Sequence, residues 1–381
     1  MRVMIVVTHL LGTGHLTRAL TLANAFRDAG HEALVVSGGV PPEHLGAGIQ
    51  ALLQLPPVRS DGVDFTRLLA ADGGLASDAY LVDRQSILLD ALDRYAPDAL
   101  ITELFPFGRR ILRTEFIALL EAARARLAPP KILASIRDIL APPSKPAKAA
   151  FADEAVTEYY DGVLVHSDPD LTPLDLSWPV SDQLRPALQY TGFVAPLPAG
   201  PSSDRAGEGE VLVTAGGGDV GGALFDVAIR AAALRVDLRW RLLVGGQNAK
   251  ERSAAFNEGA PSNLLAEPAR RDFRQMLHLA RVSVSMCGYN TALDVMQASC
   301  PAVFVPYDAG NEVEQGIRAE ALSRQTGVEA IPTTILTPDV LLSAIASVEG
   351  SKRPPLAQAQ TSGAQRTVEM VSKMVGGGHA R

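Results

Sequence analysis

The sequence predicts an α/β protein of two doubly wound parallel-sheet domains, and three observations carry that prediction. Short apolar runs rich in Val, Ile and Leu alternate with longer stretches of helical period, the pattern of parallel strands covered on both faces by crossover helices. Glycine loops follow several of these runs where strand gives way to helix. The alternation stops once, at residues 196–208 (PLPAGPSSDRAGE), which are rich in Pro, Gly and Ser and read as a linker, and then it restarts. With 381 residues, each half is long enough to bury its own core.

Composition narrows the function classes. The chain is 47% hydrophobic and 20% charged, as globular proteins are, and its net charge of −7 argues against nucleic acid as the main partner. It contains no apolar run of 18 residues, and its start enters a strand without a charged region, apolar segment and cleavage site, so a cytoplasmic location is expected. Cys287 and Cys300 both lie among apolar residues and are read as buried small hydrophobes, not as a disulfide or a thiolate metal site.

Residues 1–195 form the first domain. An apolar strand at 2–8 is followed by the loop THLLGTGH (8–15), whose Gly12, Thr13 and Gly14 make a glycine loop, and by a helix at 16–29 with Leu20, Leu22, Ala23 and Phe26 on its apolar side. A second strand at 33–37 completes a βαβ unit. The loop is neither a P-loop, since no Gly-Lys-Ser/Thr follows, nor a full Gly-x-Gly-x-x-Gly fingerprint, since position 17 is Thr. Residues 56–74 have no period and read as a loop at the open edge of the sheet. Strands are expected at 99–102, 132–135 and 162–166, and helices at 77–95, 109–127 and 145–160. In open α/β sheets ligands lie outside the carboxyl ends of the strands, which directs attention to residues 9–15, 103–109, 137–138 and 167–168.

Charge is uneven in this half. From Arg109 to Lys148 nine basic residues face three acidic ones, a local balance of +6 that is either a solvated helix face or a surface for anionic headgroups or a phosphate-bearing acceptor. Arg109, Arg110 and Arg113 lead that run.

The second domain spans 209–360. It opens with a strand at 211–215, the loop Gly216-Gly217-Gly218 and a helix at 220–234. Strands at 241–244 and 263–266 and a helix at 271–279 follow. Residues 282–315 (VSVSMCGYNTALDVMQASCPAVFVPYDAGNEVEQ) carry the most chemistry: a β-branched strand, a break at Gly288, a helix at 291–298, a buried strand at 302–305 ended by Pro306, and a polar loop at 307–311. A strand running through a glycine turn into a helix places unpaired N–H groups and the positive end of the helix dipole at one point, which attracts phosphate. Asn290 and Thr291 can contact a phosphate oxygen or simply cap the helix. Asp294 can offer a carboxylate to a vicinal diol or only complement the dipole. A strand at 328–331 and helices at 338–347 and 362–375 close the chain.

The order of residues in 282–315 resembles the donor-binding segment of family 28 glycosyltransferases of the GT-B fold, typified by the bacterial enzyme that adds N-acetylglucosamine to the lipid-linked peptidoglycan precursor. Gly288, Thr291, Asp294, Val305-Pro306 and Glu314-Gln315 match that family in order and spacing. The resemblance implies two Rossmann-like domains facing across a cleft, with the helix at 361–381 crossing back to the first. It also implies that Gly288, Tyr289, Asn290 and Thr291 hold a diphosphate beside Gly216, Gly217 and Gly218, that Asp294 meets the ribose hydroxyls, and that Glu314 with Gln315 meets the sugar. Two residues depart from the family, which usually has Glu at the position of Asp294 and a Gln-Gln pair at Glu314-Gln315. The second departure leaves the sugar open.

The implied reaction is transfer of a hexose-type sugar from a nucleotide diphosphate donor, UDP by resemblance, to an acceptor glycan or lipid-linked sugar. Envelope or surface polysaccharide assembly, with peripheral contact at the inner membrane face, is the implied setting. Hydrolysis of the nucleotide sugar by the same fold and binding without turnover are the alternatives. Inverting transfer needs a base for the acceptor hydroxyl and stabilisation of the departing diphosphate. No Asp-x-Asp motif of the metal-dependent glycosyltransferase type is recognised, so helix dipoles are expected to serve without an obligatory metal or other cofactor. His15 is the first candidate base, placed after the glycine loop where the family carries a histidine. A helix start there would lower the imidazole pKa and favour its neutral form. Glu103 is its rival: burial would raise its pKa, and pairing with Arg109 or Arg110 is its other fate. Phe105 and Phe107 read as packing residues.

Overall fold

The structure is a computed structural model that describes residues 1–10, 13–41, 51–60, 67–202, 204–216, 218, 220–246, 248–309 and 312–377. It divides into two compact units, Met1–Ala195 with Ala359–Arg381, and Pro196–Gln358.

The N-terminal unit runs β1 (Arg2–Val7), α1 (Gly14–Asp28), β2 (Glu32–Ser37), β3 (Leu52–Gln54), α2 (Asp78–Tyr95), β4 (Ala99–Glu103), α3 (Arg113–Arg124), β5 (Lys131–Arg137), α4 (Pro146–Tyr159), β6 (Gly162–His166) and β7 (Leu188–Tyr190). Among the described residues these strands form one sheet in the order β3-β2-β1-β4-β5-β6-β7, with every pairing parallel. The order reverses between β1 and β4, which are paired with Val6 opposite Thr102, so their loops leave side by side. One face of the sheet buries Met4, Val6, Leu100 and Ile132 under α2, α3 and α4. The other buries Val3, Ile5, Val7 and Ile101 under α1 and the last helix.

The C-terminal unit runs β8 (Glu210–Thr214), α5 (Gly222–Leu234), β9 (Arg239–Val244), α6 (Ala249–Asn257), β10 (Leu264–Pro268), α7 (Phe273–Met276), β11 (Val282–Ser285), α8 (Tyr289–Ala298), β12 (Ala302–Phe304), α9 (Glu314–Leu322), β13 (Val328–Ala330) and α10 (Pro338–Val348). Its sheet, β10-β9-β8-β11-β12-β13, is also parallel throughout and reverses between β8 and β11. Through α11 (Gln358–Thr361) the chain reaches α12 (Gly363–Gly376), whose Ala364, Val368 and Val371 pack with Leu16, Leu20 and Ala23 of α1. Gly363 is required at that return, because a Cβ there would lie 2.3 Å from the Gly192 carbonyl oxygen.

Several elements differ from the sequence reading for physical reasons. Strands β3 and β7 and helix α6 carry no clear period: the two strands are half-buried three-residue edge pieces, and α6 buries only Ser253. The helix expected at 109–127 begins instead with a short 3₁₀ turn at Arg110–Leu112, entered through Arg109 in the left-handed region (φ 57°). The helix expected at 271–279 shortens to α7. Within 56–74, the described residues include bridges from Leu69 to Arg59 and to Leu75.

Candidate active site

In the N-terminal unit the topology brings His15 and Glu103 together. Glu103 ends β4, His15 is the second residue of α1 after the β1 loop, and the two strands are neighbours. His15 Nδ1 lies 3.0 Å from Glu103 Oε1. Glu103 is buried, and Arg18, one turn after His15 on the same helix face, donates to the same oxygen. Ser135 of β5 donates to Oε2 at 2.6 Å. Burial would push the Glu103 carboxyl up, but the Arg18 and His15 partners reverse this and hold it below the usual carboxylate range. The raised value expected from burial alone is therefore corrected by Arg18, which takes the pairing role expected of Arg109 or Arg110.

The proton on His15 follows from its neighbours. Arg18 also lies 3.1 Å from Nδ1, and a guanidinium has only donors to offer. A bare Nδ1 would satisfy Arg18 but oppose its lone pair to an ionised oxygen, whereas Nδ1–H donates to that oxygen alongside Arg18. The carboxylate is the stronger claim, so the proton sits on Nδ1 and the Nε2 lone pair is free to accept. Burial lowers the imidazole pKa to about 3, with Arg109 and Arg18 adding to the effect against the Glu103 charge.

The loops around this pair are braced by cations. Arg109 donates through Nε to the Thr8 carbonyl at 2.5 Å, and burial lowers its own pKa to about 10. Arg84, fully buried, pairs with Glu115 at 2.6 Å and donates to Thr8 Oγ1 and to the Gly38 and Pro56 carbonyls, tying the ends of β1, β2 and β3 together. Arg110 turns to the Phe107 carbonyl, and Arg113 lies over the Phe151 ring at 4.4 Å. Farther along the basic run, Arg124 and Lys131 pair with Asp161, and Arg126 pairs with Asp93. Phe105 stacks on Phe116 and Phe107 meets Trp178 edge-on, so both are packing residues. Thr13 precedes α1 at its N-cap and Gly14 begins it, while Gly12 lies outside the described residues.

In the C-terminal unit the parallel neighbours β8 and β11 both run into glycine turns. Gly221, at φ 101°, is the N-cap of α5, and Gly288 is the N-cap of α8, so neither helix start is capped by a side chain. Gly216 takes φ +82°, and the position its Cβ would occupy is 3.7 Å from Thr291 Oγ1, which sets this loop against the first turn of α8. Gly217 lies outside the described residues. Tyr289, Asn290 and Thr291 are the first three residues of α8, with Asn290 exposed. Asp294, one turn on, is half-buried and takes Arg274 Nε on Oδ1 at 2.8 Å. Burial raises its pKa against the opposing effect of Arg274. Arg274 also donates to Gln297 Oε1 at 3.0 Å and to the Leu197 carbonyl at 2.6 Å. Glu314 and Gln315 open α9, where both backbone N–H groups donate to Glu312 Oε1 and Gln315 Oε1 accepts from Tyr307 N–H.

Residues 225–374 match the family model described as the glycosyltransferase family 28 C-terminal domain. No curated protein matches the chain. Among solved structures it resembles Acinetobacter baumannii MurG over 98% of this chain and 100% of the other, at 16% identity and TM-score 0.64. CalG4, the calicheamicin glycosyltransferase, covers 100% of this chain and 98% of its own, at 15% and 0.61. The glycosyltransferase VinC, solved in complex with dTDP, covers 99% and 95%, at 16% and 0.57. The chain has the GT-B fold, and its residues 225–374 match a glycosyltransferase family 28 C-terminal domain.

Sequence reasoning passed over four residues that the fold brings to these sites. Arg18 stands three residues after His15, where a cation on an otherwise apolar helix face was its signal. Ser135 and His166 stand at or near the polar ends of β5 and β6. Arg274 carried no signal, because its partner Asp294 is 20 residues away in sequence.

Proposed function

We propose that the protein transfers a sugar from a nucleoside diphosphate donor to an acceptor hydroxyl in a single inverting displacement, without an obligatory metal. The hydrogen bond between His15 and Glu103 carries this reading. The acceptor oxygen attacks the anomeric carbon as its proton passes to His15 Nε2, and the bond from that carbon to the diphosphate oxygen breaks with the electron pair leaving on the diphosphate. Glu103 does not take the proton: it is already an ionised acceptor for three donors, and its part is to hold the His15 proton on Nδ1 and stabilise the imidazolium that forms. The departing charge falls to the uncapped starts of α5 and α8, which supply N–H groups and helix dipole, and this supports independence from metal.

On the donor side, Gly216, Gly217, Gly218 and Gly288 to Thr291 take the diphosphate, Asp294 the ribose diol, and Glu314 with Gln315 the sugar hydroxyls. UDP is the nucleotide by the family resemblance, and a ribose diol ligand favours it over dTDP, which lacks the 2′-hydroxyl. Arg109 beside His15, with Arg110 and Arg113, is the surface for a phosphate-bearing or lipid-linked acceptor at the inner membrane face, in envelope or surface polysaccharide assembly. Among the described residues no helix is long and apolar enough to cross a membrane.

The test is calorimetric titration with UDP, dTDP and their sugars, with and without Mg²⁺, followed by turnover of the bound sugar nucleotide with candidate acceptors. Selective, Mg²⁺-independent binding of one nucleotide and sugar transfer lost in His15→Ala are expected. Absence of binding across the panel, or release of free sugar at the same rate with and without acceptors, would overturn the assignment.

A further inference from the structure

On the side of Glu103 away from His15, a line of buried side chains crosses four neighbouring strands. Ser135 Oγ of β5, which donates to Glu103 Oε2 at 2.6 Å, lies 2.9 Å from His166 Nε2 at the end of β6. His166 Nδ1 lies 2.8 Å from Oγ1 of Thr191, the residue that follows β7. Ser135, His166 and Thr191 are all 0% exposed, so bulk water does not reach them and each contact between them must match a donor to an acceptor.

Each hydroxyl has one proton to give, and this sets a direction. If Ser135 donates to Glu103, its lone pair must face a donor, so His166 must carry its proton on Nε2. Nδ1 then accepts from Thr191. In the opposite arrangement His166 carries Nδ1–H, two lone pairs meet across the 2.9 Å contact to Ser135, or Ser135 abandons the carboxylate. An imidazolium would satisfy both neighbours, but burial lowers the His166 pKa to about 3. The buried carboxylate therefore selects the order Thr191 to His166 to Ser135 to Glu103.

We propose that Ser135, His166 and Thr191 form a one-way hydrogen-bond relay that keeps Glu103 an acceptor toward His15, so that the His15 proton stays on Nδ1. Arg18 and His15 both bind Oε1, which leaves Ser135 as the donor to Oε2. Without it, a buried carboxylate oxygen would face no donor and Glu103 would take a proton more readily. A protonated Glu103 would donate to Nδ1, move the His15 proton to Nε2 and remove the lone pair that accepts from substrate. These three are positioning residues. The far end of the relay is a choice point: Thr191 Oγ1 is also 2.8 Å from the Gly192 carbonyl, where the C-terminal segment docks through Phe193 N–H to Gln360 O at 2.6 Å and Gly363 N–H to Phe193 O at 3.1 Å.

The inference rests on His15 as the base, but its test reads tautomers and stands apart from turnover. Long-range ¹H–¹⁵N correlation spectra of the full chain with ¹⁵N-labelled histidine distinguish Nδ1–H from Nε2–H, with His15 and His166 assigned from His15→Gln and His166→Gln. In the unsubstituted protein, Nδ1–H on His15 and Nε2–H on His166 are expected. Ser135→Ala and His166→Phe should raise the Nε2–H to Nδ1–H ratio of His15 about tenfold or more, as the loss of a hydrogen bond to a charged group implies. His166→Gln, whose amide donates to Ser135 while its carbonyl accepts from Thr191, should restore the original ratio. An unchanged His15 tautomer in folded Ser135→Ala overturns the relay, as does a His166→Gln spectrum as perturbed as that of His166→Phe. Should the substituted chains fail to fold, the unsubstituted protein decides: Nδ1–H on His166 refutes the direction. Full turnover in His15→Ala with the tautomers as expected would remove the base assignment and leave the relay standing.

Discussion

The two units use one topology to build candidate sites of opposite kinds. In each, a doubly wound sheet reverses its strand order beside the first strand, and the loops at that point hold the candidate site. The N-terminal site is made of side chains: His15, Arg18, Glu103, Ser135 and His166 form a connected set, nearly all of it buried. The C-terminal site is made of backbone: Gly221 and Gly288 leave the starts of α5 and α8 without a side-chain cap, and Arg274 pairs with Asp294 close by. A proton must be taken at one atom in one direction, which requires fixed side chains with assigned protons. A diphosphate spreads its charge over several oxygens and is met by converging N–H groups, for which side chains would be obstacles.

The largest expected effect separates the two. His15→Ala should lower sugar transfer by about 10²- to 10⁴-fold, the usual worth of a general base, and leave UDP affinity as it was. Calorimetry beside a turnover assay checks this. A fall in affinity equal to the fall in turnover would mean that His15 belongs to the donor site, and the division of labour would be wrong.

Acid should damage the N-terminal site first. His15 and His166 are held neutral with pKa values of about 3, against about 6.5 in an unfolded chain. Below pH 6.5 the unfolded state binds protons that the folded state refuses, so stability falls with pH at up to about 1.4 kcal/mol per pH unit for each histidine. Glu103 adds to this only below the ordinary Glu range, since its folded pKa is lowered. Between pH 6.5 and 4.5 the slope thus belongs to histidines, and His166→Gln should flatten it by the share of one. Urea midpoints across that window measure it, and an unchanged slope would mean that His166 is protonated in the fold.

On the donor side, Asp294→Asn removes charge while keeping an oxygen for Arg274. UDP affinity should fall by about 1.5–3 kcal/mol, and the preference for UDP over dTDP should disappear, because dTDP offers no vicinal diol. Equal losses for both nucleotides would show that Asp294 acts only through Arg274, which grips Gln297 and the chain at Leu197.

What could be read from the sequence follows the same division. Strand and helix alternation was legible because buried parallel strands and glycine turns leave local patterns. His15 and Glu103 were legible as separate candidates, each at the end of an apolar run. Their contact was not, because it spans 88 residues and depends on β1 lying beside β4. The sign of the Glu103 shift was illegible for the same reason: burial alone raises a carboxyl, and the cation that reverses it comes from another element. Strands β3 and β7 are short edge pieces whose half-burial leaves no alternation to count.

The smallest expected effect tests whether the donor site is backbone in more than appearance. Gly216 has φ +82°, a region that costs an L-residue about 1–2 kcal/mol, so Gly216→Ala should be strained. Space is not the obstacle, because the new Cβ would meet Thr291 Oγ1 at 3.7 Å, an ordinary contact. The cost can therefore appear in either of two places. If the loop keeps its shape, the urea midpoint falls and UDP affinity holds, and Gly216 is a turn residue whose task is to pass β8 toward α5. If the loop relaxes to a negative φ, stability is largely kept, while the N–H groups beside α8 turn away and UDP affinity falls by a similar amount. The second outcome is expected, since a diphosphate cradle depends on where backbone N–H groups point. A loss in stability alone would reduce the C-terminal site to α8 and its first turn.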